Sequence, residues 1–116
     1  MRPTDIAFRP MQAADLPAIL AVQRLCYPAE MNEDATTWRQ RLASAAAFSW
    51  VAEDVTGVCA YLACYPSRLG KVTSLGDDFL IAETADCLYL HDLAVAPVAT
   101  GRGLGGALVE IGRAHV

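Results

Sequence analysis

The sequence lacks the features that mark membrane proteins, secreted proteins and nucleic-acid-binding proteins. No apolar stretch reaches the roughly 18 residues that a membrane-spanning helix needs. The N-terminus, Met1–Asp5, has no apolar region behind its one basic residue, so we expect no signal peptide and a cytoplasmic location. A formal net charge of −4 gives no electrostatic basis for binding nucleic acid. We therefore expect neither a membrane nor a nucleic acid among the partners.

The sequence also lacks the cysteine and histidine spacings of a metal site. The four cysteines are Cys26, Cys59, Cys64 and Cys87. None of them belongs to a C-x-x-C pair, and His91 and His115 do not stand at zinc-ligand spacing from them. Each cysteine lies in an apolar context, where a free thiol behaves as a small hydrophobic side chain. We therefore expect the cysteines in the core and no metal site.

The composition that remains indicates one packed domain. A length of 116 residues suits one domain and not two. Hydrophobic residues make up 54% of the chain and charged residues 19%, which favours a buried core over disorder. There is no internal repeat. We therefore treat 1–116 as a single domain.

Apolar periodicity and turn residues divide the chain into seven elements. In order, they are a strand at 6–10, a helix that starts within 13–17, a helix at 35–46, strands at 48–52, 58–65 and 87–96, and a helix at 104–111. Tyr27-Pro28 ends the first helix, because the residue before proline avoids the α region. Residues 53–57 form the predicted turn of a hairpin whose second strand ends at Pro66. The order β-α-α-β-β-β-α is an α+β arrangement.

The segment Leu93–Gly106, with the sequence LAVAPVATGRGLGG, carries the strongest chemical signal. It leaves a strand, passes four glycines and enters an apolar helix. Glycines at this spacing let backbone amides turn toward an anion, and the helix start adds unpaired amides and a positive dipole end. The segment therefore predicts a diphosphate-binding turn, to which Arg102 could add a charge-assisted contact.

Two classes of ligand are compatible with such a turn. A dinucleotide is one, because Gly101-x-Gly103-x-x-Gly106 matches G-x-G-x-x-G. That fingerprint normally opens a βαβ unit and needs an acidic residue about 20 positions later on the ribose, and too little chain remains here to supply it. Coenzyme A is the other.

The same residues resemble motif A of the GCN5-related N-acetyltransferases. The family pattern is Q/R-x-x-G-x-G/A, in which Gly103 and Gly105 fill the last two positions and Thr100 stands where Gln or Arg is usual. The opening I-x-F-R-P-M-x-A-x-D-L-P-A-I is also similar to the family's first strand and helix, so the resemblance covers residues 6 to about 110. It implies a three-layer α/β/α acyl-CoA N-acyltransferase fold with acetyl-CoA as cofactor. The cofactor contacts that it implies are Leu93, Ala94, Val95, Thr100, Gly101, Arg102, Gly103, Leu104, Gly105 and Gly106.

The strand before the turn resembles one branch of that family. Its sequence YLHDLAV is similar to the H-L-H-x-L-A-V segment of arylalkylamine N-acetyltransferases, with the second histidine kept as His91 and the first replaced by Tyr89. The resemblance implies direct attack of a neutral amine on the thioester, with a backbone amide near Val95 polarising the carbonyl. His91 is the first candidate for the base because an imidazole titrates near physiological pH, and Asp92 is the second.

The geometry of His91 and Asp92 leaves two alternatives. On simple strand alternation the two side chains point to opposite faces, so at most one faces the substrate. A bulge would change that count. The resemblance adds three candidate substrate contacts: Tyr89 on the same strand, and Tyr27 and Glu30, which follow the first helix near the family's acceptor site.

These observations predict an N-acetyltransferase that moves an acetyl group from acetyl-CoA to a primary amine of a small molecule or a peptide. The alternatives are a coenzyme A-binding unit without turnover and a dinucleotide-binding unit. A homodimer is compatible with the sequence.

The family fold has further strands after the helix that begins at Leu104, so we expect a C-terminally truncated domain.

The last six residues, 111–116, can be encoded by ATC GGA AGA GCA CAC GTC, which matches a sequencing adapter whose next codon is TGA. Gly112 also costs about 1 kcal/mol relative to alanine inside a helix. We therefore expect 111–116 to be a non-native tail, and other codons in the encoding DNA would contradict this.

Overall fold

The computed structural model describes residues 5–45 and 48–115. Its strands are β1 (Ala7–Pro10), β2 (Trp50–Asp54), β3 (Gly57–Ser67) and β4 (Cys87–Val95). Its helices are α1 (Leu16–Cys26), α2 (Ala35–Ala45) and α3 (Leu104–Ala114), with short 3₁₀ turns at Ala13–Asp15, Ala29–Met31 and Pro97–Ala99. The predicted order β-α-α-β-β-β-α is confirmed.

The four strands form one antiparallel sheet in the order β1-β2-β3-β4. Residues of β3 alternate between two hydrophobic clusters. Tyr61 packs with Ile19 of α1 and Trp38 of α2, whereas Leu62 packs with Leu108 of α3 on the opposite face. Because both faces are covered, β3 is an almost continuous apolar run, and the predicted three-layer α/β/α architecture is confirmed.

Strand boundaries differ from the predictions at both ends of the β2–β3 hairpin. The predicted turn at 53–57 is too long, because Asp54 pairs with Gly57 and its carboxylate accepts hydrogen bonds from the amide and hydroxyl of Thr56. Pro66 does not end β3. It pairs with Leu88, and its carbonyl accepts the amide of Ala82 at 3.2 Å. A proline at this place loses only a donor, so the strand runs on for one more residue.

Helix α3 extends beyond the predicted boundary near residue 111. Gly112 is buried on the sheet, where a Cβ would stand 3.1 Å from Cδ2 of Leu62. The side chain of His115 lies against Trp50, with the ring centroids 4.6 Å apart. Residue 46 of the second predicted helix and residue 116 of the predicted tail lie outside the described residues. The origin of 111–116 stays a prediction.

The pairing of β3 with β4 contains one β-bulge. Ala63 lies opposite Asp92 and Cys64 lies opposite Leu90, so His91 is an extra residue without a partner in β3. An extra residue shifts the alternation by one position. His91 and Asp92 therefore face the same side of the sheet, the side of α1 and α2, and simple alternation is wrong here.

The four cysteines are free thiols, and Cys59 and Cys64 are buried. Burial raises the pKa of the Cys64 thiol to about 12. Over residues 5–45 and 48–115, no group of three or more His, Cys, Asp or Glu side chains could hold a metal ion. Within the same ranges no helix has the length and apolarity to cross a membrane.

Candidate functional site

A cavity of about 90 Å³ lies where β4 passes the end of α1. It is lined by Tyr27, Met31, Glu33, Leu75, His91 and Asp92. Both candidates for the base thus share one cavity, as a consequence of the bulge. A larger cavity, of about 250 Å³, lies against the 68–86 connection and contains none of the predicted site residues.

The Asp92 carboxylate is held between two tyrosine hydroxyls. Tyr27, directly after α1, donates to Oδ1 at 2.8 Å, and Tyr61 of β3 donates to Oδ2 at 2.8 Å. Burial raises the pKa of Asp92, although both hydrogen bonds act to lower it. Burial and the neighbouring carboxylate also raise the pKa of each tyrosine, so both hydroxyls keep their protons as donors. Asp92 is therefore a carboxyl group that binds a proton more readily than an exposed aspartate.

The His91 imidazole is fixed from two sides. Its Nε2 lies 3.2 Å from Oε1 of Glu33, and its ring packs edge-on against Phe79 with the centroids 5.3 Å apart. The side chain is 7% exposed. Its Nδ1 is buried and has no hydrogen-bond partner among the residues that the structure describes.

Glu33 lines the cavity but is not among the site residues predicted from the sequence. Its carboxylate accepts two hydrogen bonds from Arg41 of α2, at 2.6 and 2.5 Å, and one from the amide of Gly76 at 2.8 Å. Burial opposes ionisation, but the bonds from His91, Arg41 and Gly76 outweigh it and hold the pKa of Glu33 at about 2. A signal did exist. Arg41 follows Trp38 by three residues on the apolar face of α2, and a charge on such a face requires a buried partner.

Two predicted substrate contacts are not among the residues that line this cavity. Glu30 is exposed in the 3₁₀ turn after α1. Tyr89 packs edge-on against Tyr65, and its hydroxyl lies 3.5 Å from the carbonyl of Thr73. Tyr27 does line the cavity, through its bond to Asp92. The substrate roles of all three remain predictions.

The glycine turn after β4 has the backbone of an anion cradle. Gly101 and Gly103 adopt φ values of +83° and +72°, which side-chain-bearing residues rarely adopt, and no atom lies within 4 Å of a Cβ built at either position. The first bond of α3 runs from the amide of Ala107 to the carbonyl of Gly103 at 3.1 Å. The amides of residues 104–106 therefore precede the helical ladder, at the positive end of the helix. This arrangement fits a diphosphate.

The side chains of the turn are directed to other parts of the protein and form less of the anion cradle than the backbone does. The Thr100 hydroxyl donates to the carbonyl of Pro97 at 2.9 Å, and the Arg102 guanidinium bonds Asp54 at 3.2 Å. Leu104 is buried in the cluster beneath α3. A phosphate contact from Arg102 remains a prediction, and it would require the side chain to exchange Asp54 for the ligand.

The open edge of β4 links the cavity to the turn. The amide of Ala96 donates to the carbonyl of Cys59 at 2.8 Å, so antiparallel alternation turns the backbone polar groups of Leu93 and Val95 away from β3. The carbonyl of Leu93 lies 3.1 Å from the Tyr27 hydroxyl. The amide of Val95 consequently points toward the open edge, where it can donate to an oxyanion.

Known proteins share this architecture. The acetyltransferase (GNAT) family matches residues 16–113. A search of curated proteins finds no match. The GphF GNAT-like decarboxylase in complex with isobutyryl-CoA is 19% identical with a TM-score of 0.76, over 94% of this chain and 58% of that one. The loading GNATL domain of CurA from Lyngbya majuscula is 15% identical with a TM-score of 0.76, over 94% and 57%.

A third structure is a GNAT family acetyltransferase from Brucella melitensis in complex with acetyl-CoA. It is 23% identical to this chain with a TM-score of 0.66, over 95% of this chain and 67% of that one. At these identities the likeness shows the fold. The chain spans less than two thirds of the length of the first two structures, at 58% and 57%.

The raised pKa of Asp92 predicts that Asp92→Asn increases the stability of the protein, and that the increase depends on pH. The folded-state pKa lies above the unfolded value of about 3.9, so the stabilising contribution of Asp92 is present below that pH and is lost as the pH rises through the folded pKa. Asparagine keeps the shape without the charge. We expect the free energy of unfolding of the variant, relative to the parent, to increase from about pH 3 to about pH 7.

Urea denaturation across this pH range measures the difference. Asp77→Asn, at an exposed side chain, is the control for the loss of one negative charge. A difference between Asp92→Asn and the parent that is constant with pH, or that decreases as the pH rises, contradicts the account of Asp92.

Proposed function

Because the chain belongs to the GNAT family of acetyltransferases, we propose that it binds acyl-CoA and transfers the acyl group, acetyl first among the candidates, to a primary amine of a small molecule or peptide. One observation carries this proposal. The strand that bears His91 and Asp92 leads, after Val95, directly into the glycine turn that fits a diphosphate. A single strand thus joins the acid–base cavity to the cradle. The kinship with the arylalkylamine branch remains a prediction.

The backbone of the turn supports binding of the donor. The amides of residues 104–106 and the positive end of α3 would hold the diphosphate of coenzyme A. Because Gly101 and Gly103 have no side chain, the diphosphate can approach their backbone closely. Two structures of the same fold were determined with isobutyryl-CoA and with acetyl-CoA. Bound acyl-CoA supplies an activated thioester, and the amide of Val95 would donate to its carbonyl oxygen.

The cavity supports proton transfer from the acceptor. An alkylammonium group must lose a proton before its nitrogen can attack, and the cavity offers two proton acceptors, His91 and Asp92. The ionised Glu33 carboxylate lines the same cavity and favours a cationic group there. Tyr27 holds Asp92 and closes one wall.

Donor binding distinguishes acyl-CoA from a dinucleotide. We expect acetyl-CoA at 100 times its dissociation constant to stabilise the protein by about 2.7 kcal/mol, which raises the melting temperature by several degrees, while NAD has no effect. We expect Gly103→Val to abolish the shift, because the valine side chain would occupy the space through which the diphosphate reaches the backbone.

Gly70→Val is the matched control for backbone strain. Gly70 has φ +89°, close to the +72° of Gly103, and a Cβ at either position meets no atom within 4 Å. Both variants carry the cost of a left-handed residue, roughly 1–2 kcal/mol, but Gly70→Val should keep the acetyl-CoA shift. A cooperative melt of the parent without any shift contradicts the cradle.

Turnover distinguishes an enzyme from a coenzyme A-binding unit. We expect release of free thiol from acetyl-CoA in the presence of primary amines, and a roughly 10²–10⁴-fold slower release in His91→Ala. The acetyl-CoA melting shift of the variant should stay, which shows that it is folded and binds the donor. An acetyl-CoA shift without thiol release in the parent would favour the binding unit.

A further inference from the structure

Glu33 is anchored to the fold more firmly than any other residue that lines the cavity. Its backbone is bonded to the side chain of Gln23 in α1, whose Nε2 donates to the Glu33 carbonyl at 2.8 Å and whose Oε1 accepts the Glu33 amide at 3.1 Å. Gln23 is itself 2% exposed and accepts a bond from the indole of Trp38. The Glu33 backbone is thus fixed to α1, while its carboxylate is fixed to α2 through Arg41.

The contacts of the Glu33 carboxylate determine which ring nitrogen of His91 carries the hydrogen. Oε2 accepts from Arg41 and from the amide of Gly76, and Oε1 accepts from Arg41 at 2.6 Å. Arg41 is always protonated, and its two bonds to the carboxylate, with the bond from the Gly76 amide, favour the ionised form of Glu33 on geometry alone. An ionised carboxylate can only accept hydrogen bonds. The atom 3.2 Å from Oε1, which is Nε2 of His91, must therefore carry the hydrogen.

We propose that Glu33 is the positioning residue for His91: it holds the imidazole as the Nε2–H tautomer, so that Nδ1 is the nitrogen that takes the proton of the acceptor ammonium. This inference rests on the proposed function. In the step, an N–H bond of the ammonium breaks, an Nδ1–H bond forms, and the amine is left with the free electron pair. The resulting imidazolium keeps its Nε2–H toward the Glu33 carboxylate, whose negative charge stabilises the positive ring.

The other groups around the ring support this division of roles. Arg41 of α2 faces the same carboxylate and keeps Glu33 from taking the proton itself. Asp92 is the neighbouring carboxylate on β4, and its oxygens are bonded to Tyr27 and Tyr61. Phe79 from the 68–86 connection and Tyr89 from β4 contact the ring through their aromatic faces and edges. Nδ1 is the ring nitrogen that these neighbours leave without a bond among the described residues.

Nitrogen-15 NMR of the imidazole tests the tautomer directly, without acyl-CoA. In a His115→Gln background the chain has a single histidine, since the sequence contains two. At a pH where the ring is neutral, we expect the pyridine-like nitrogen signal from Nδ1 and the pyrrole-like signal from Nε2. The opposite assignment in this otherwise native chain overturns the proposal. A failure to bind or turn over acyl-CoA would contradict the proposed function and leave this spectrum unchanged.

A double variant tests whether Glu33 is the cause. Replacing both members of a buried ion pair by apolar residues is often neutral for stability, whereas removing one leaves an unpaired buried charge. We expect Glu33→Leu/Arg41→Leu to populate the Nδ1–H tautomer alongside Nε2–H. Glu83→Leu, at an exposed glutamate, should leave the spectrum unchanged. An Nε2–H tautomer that stays fully populated in the double variant overturns the positioning role.

Discussion

Two consecutive residues of β4, His91 and Asp92, face the same side of the sheet because the strand contains one residue more than β3 can pair. In a regular strand one of them would point toward α3 and away from the cavity. The bulge therefore decides that an imidazole and a carboxyl group can share a space of about 90 Å³. The remaining features of the site follow from the need to accommodate these two polar groups beneath α1 and α2.

The Asp92 carboxylate and the Nε2 of His91 are bonded to partners from different parts of the chain. Asp92 receives two tyrosine hydroxyls, and His91 faces a glutamate that an arginine keeps ionised. A buried polar group without such partners costs about 1–3 kcal/mol, and breaking a buried ion pair costs about 3–5 kcal/mol. These bonds compensate for the burial of the two side chains. They also fix the orientation of both side chains and determine which atoms in the cavity carry a hydrogen. The stability of the fold and the arrangement of the cavity therefore depend on the same hydrogen bonds.

The sequence predicted what depends on local pattern. The order of elements, the glycine turn and its helix are encoded in contiguous residues, and the structure has them close to the predicted positions. The bulge was left open because it depends on the pairing of Ala63 with Asp92 and of Cys64 with Leu90, which no local pattern records. The role of Pro66 was misjudged for a similar reason, because its pairing with Leu88 and the bond from the Ala82 amide to its carbonyl involve residues distant in sequence.

Glu33 escaped prediction because its partners are distant in sequence. Arg41 is eight residues away and His91 is 58 residues away, so only the fold brings the three together. Tyr27 was predicted from the family resemblance and does line the cavity, whereas Glu30, three residues later, is exposed. A resemblance indicates which segment approaches the site, but the turn of the chain after α1 decides which side chain enters it.

The placement of His91 and Asp92 on one face is the claim on which the site depends, and NMR distance measurements on the unliganded protein test it most directly. We expect NOEs from the His91 ring to the Phe79 ring and from the Asp92 β-protons to the Tyr61 ring in the same spectrum. We also expect interstrand contacts that place Cys64 opposite Leu90. Contacts that place Cys64 opposite His91, with the imidazole against Leu62 or Leu108 on the α3 face, would show a regular strand and contradict the account.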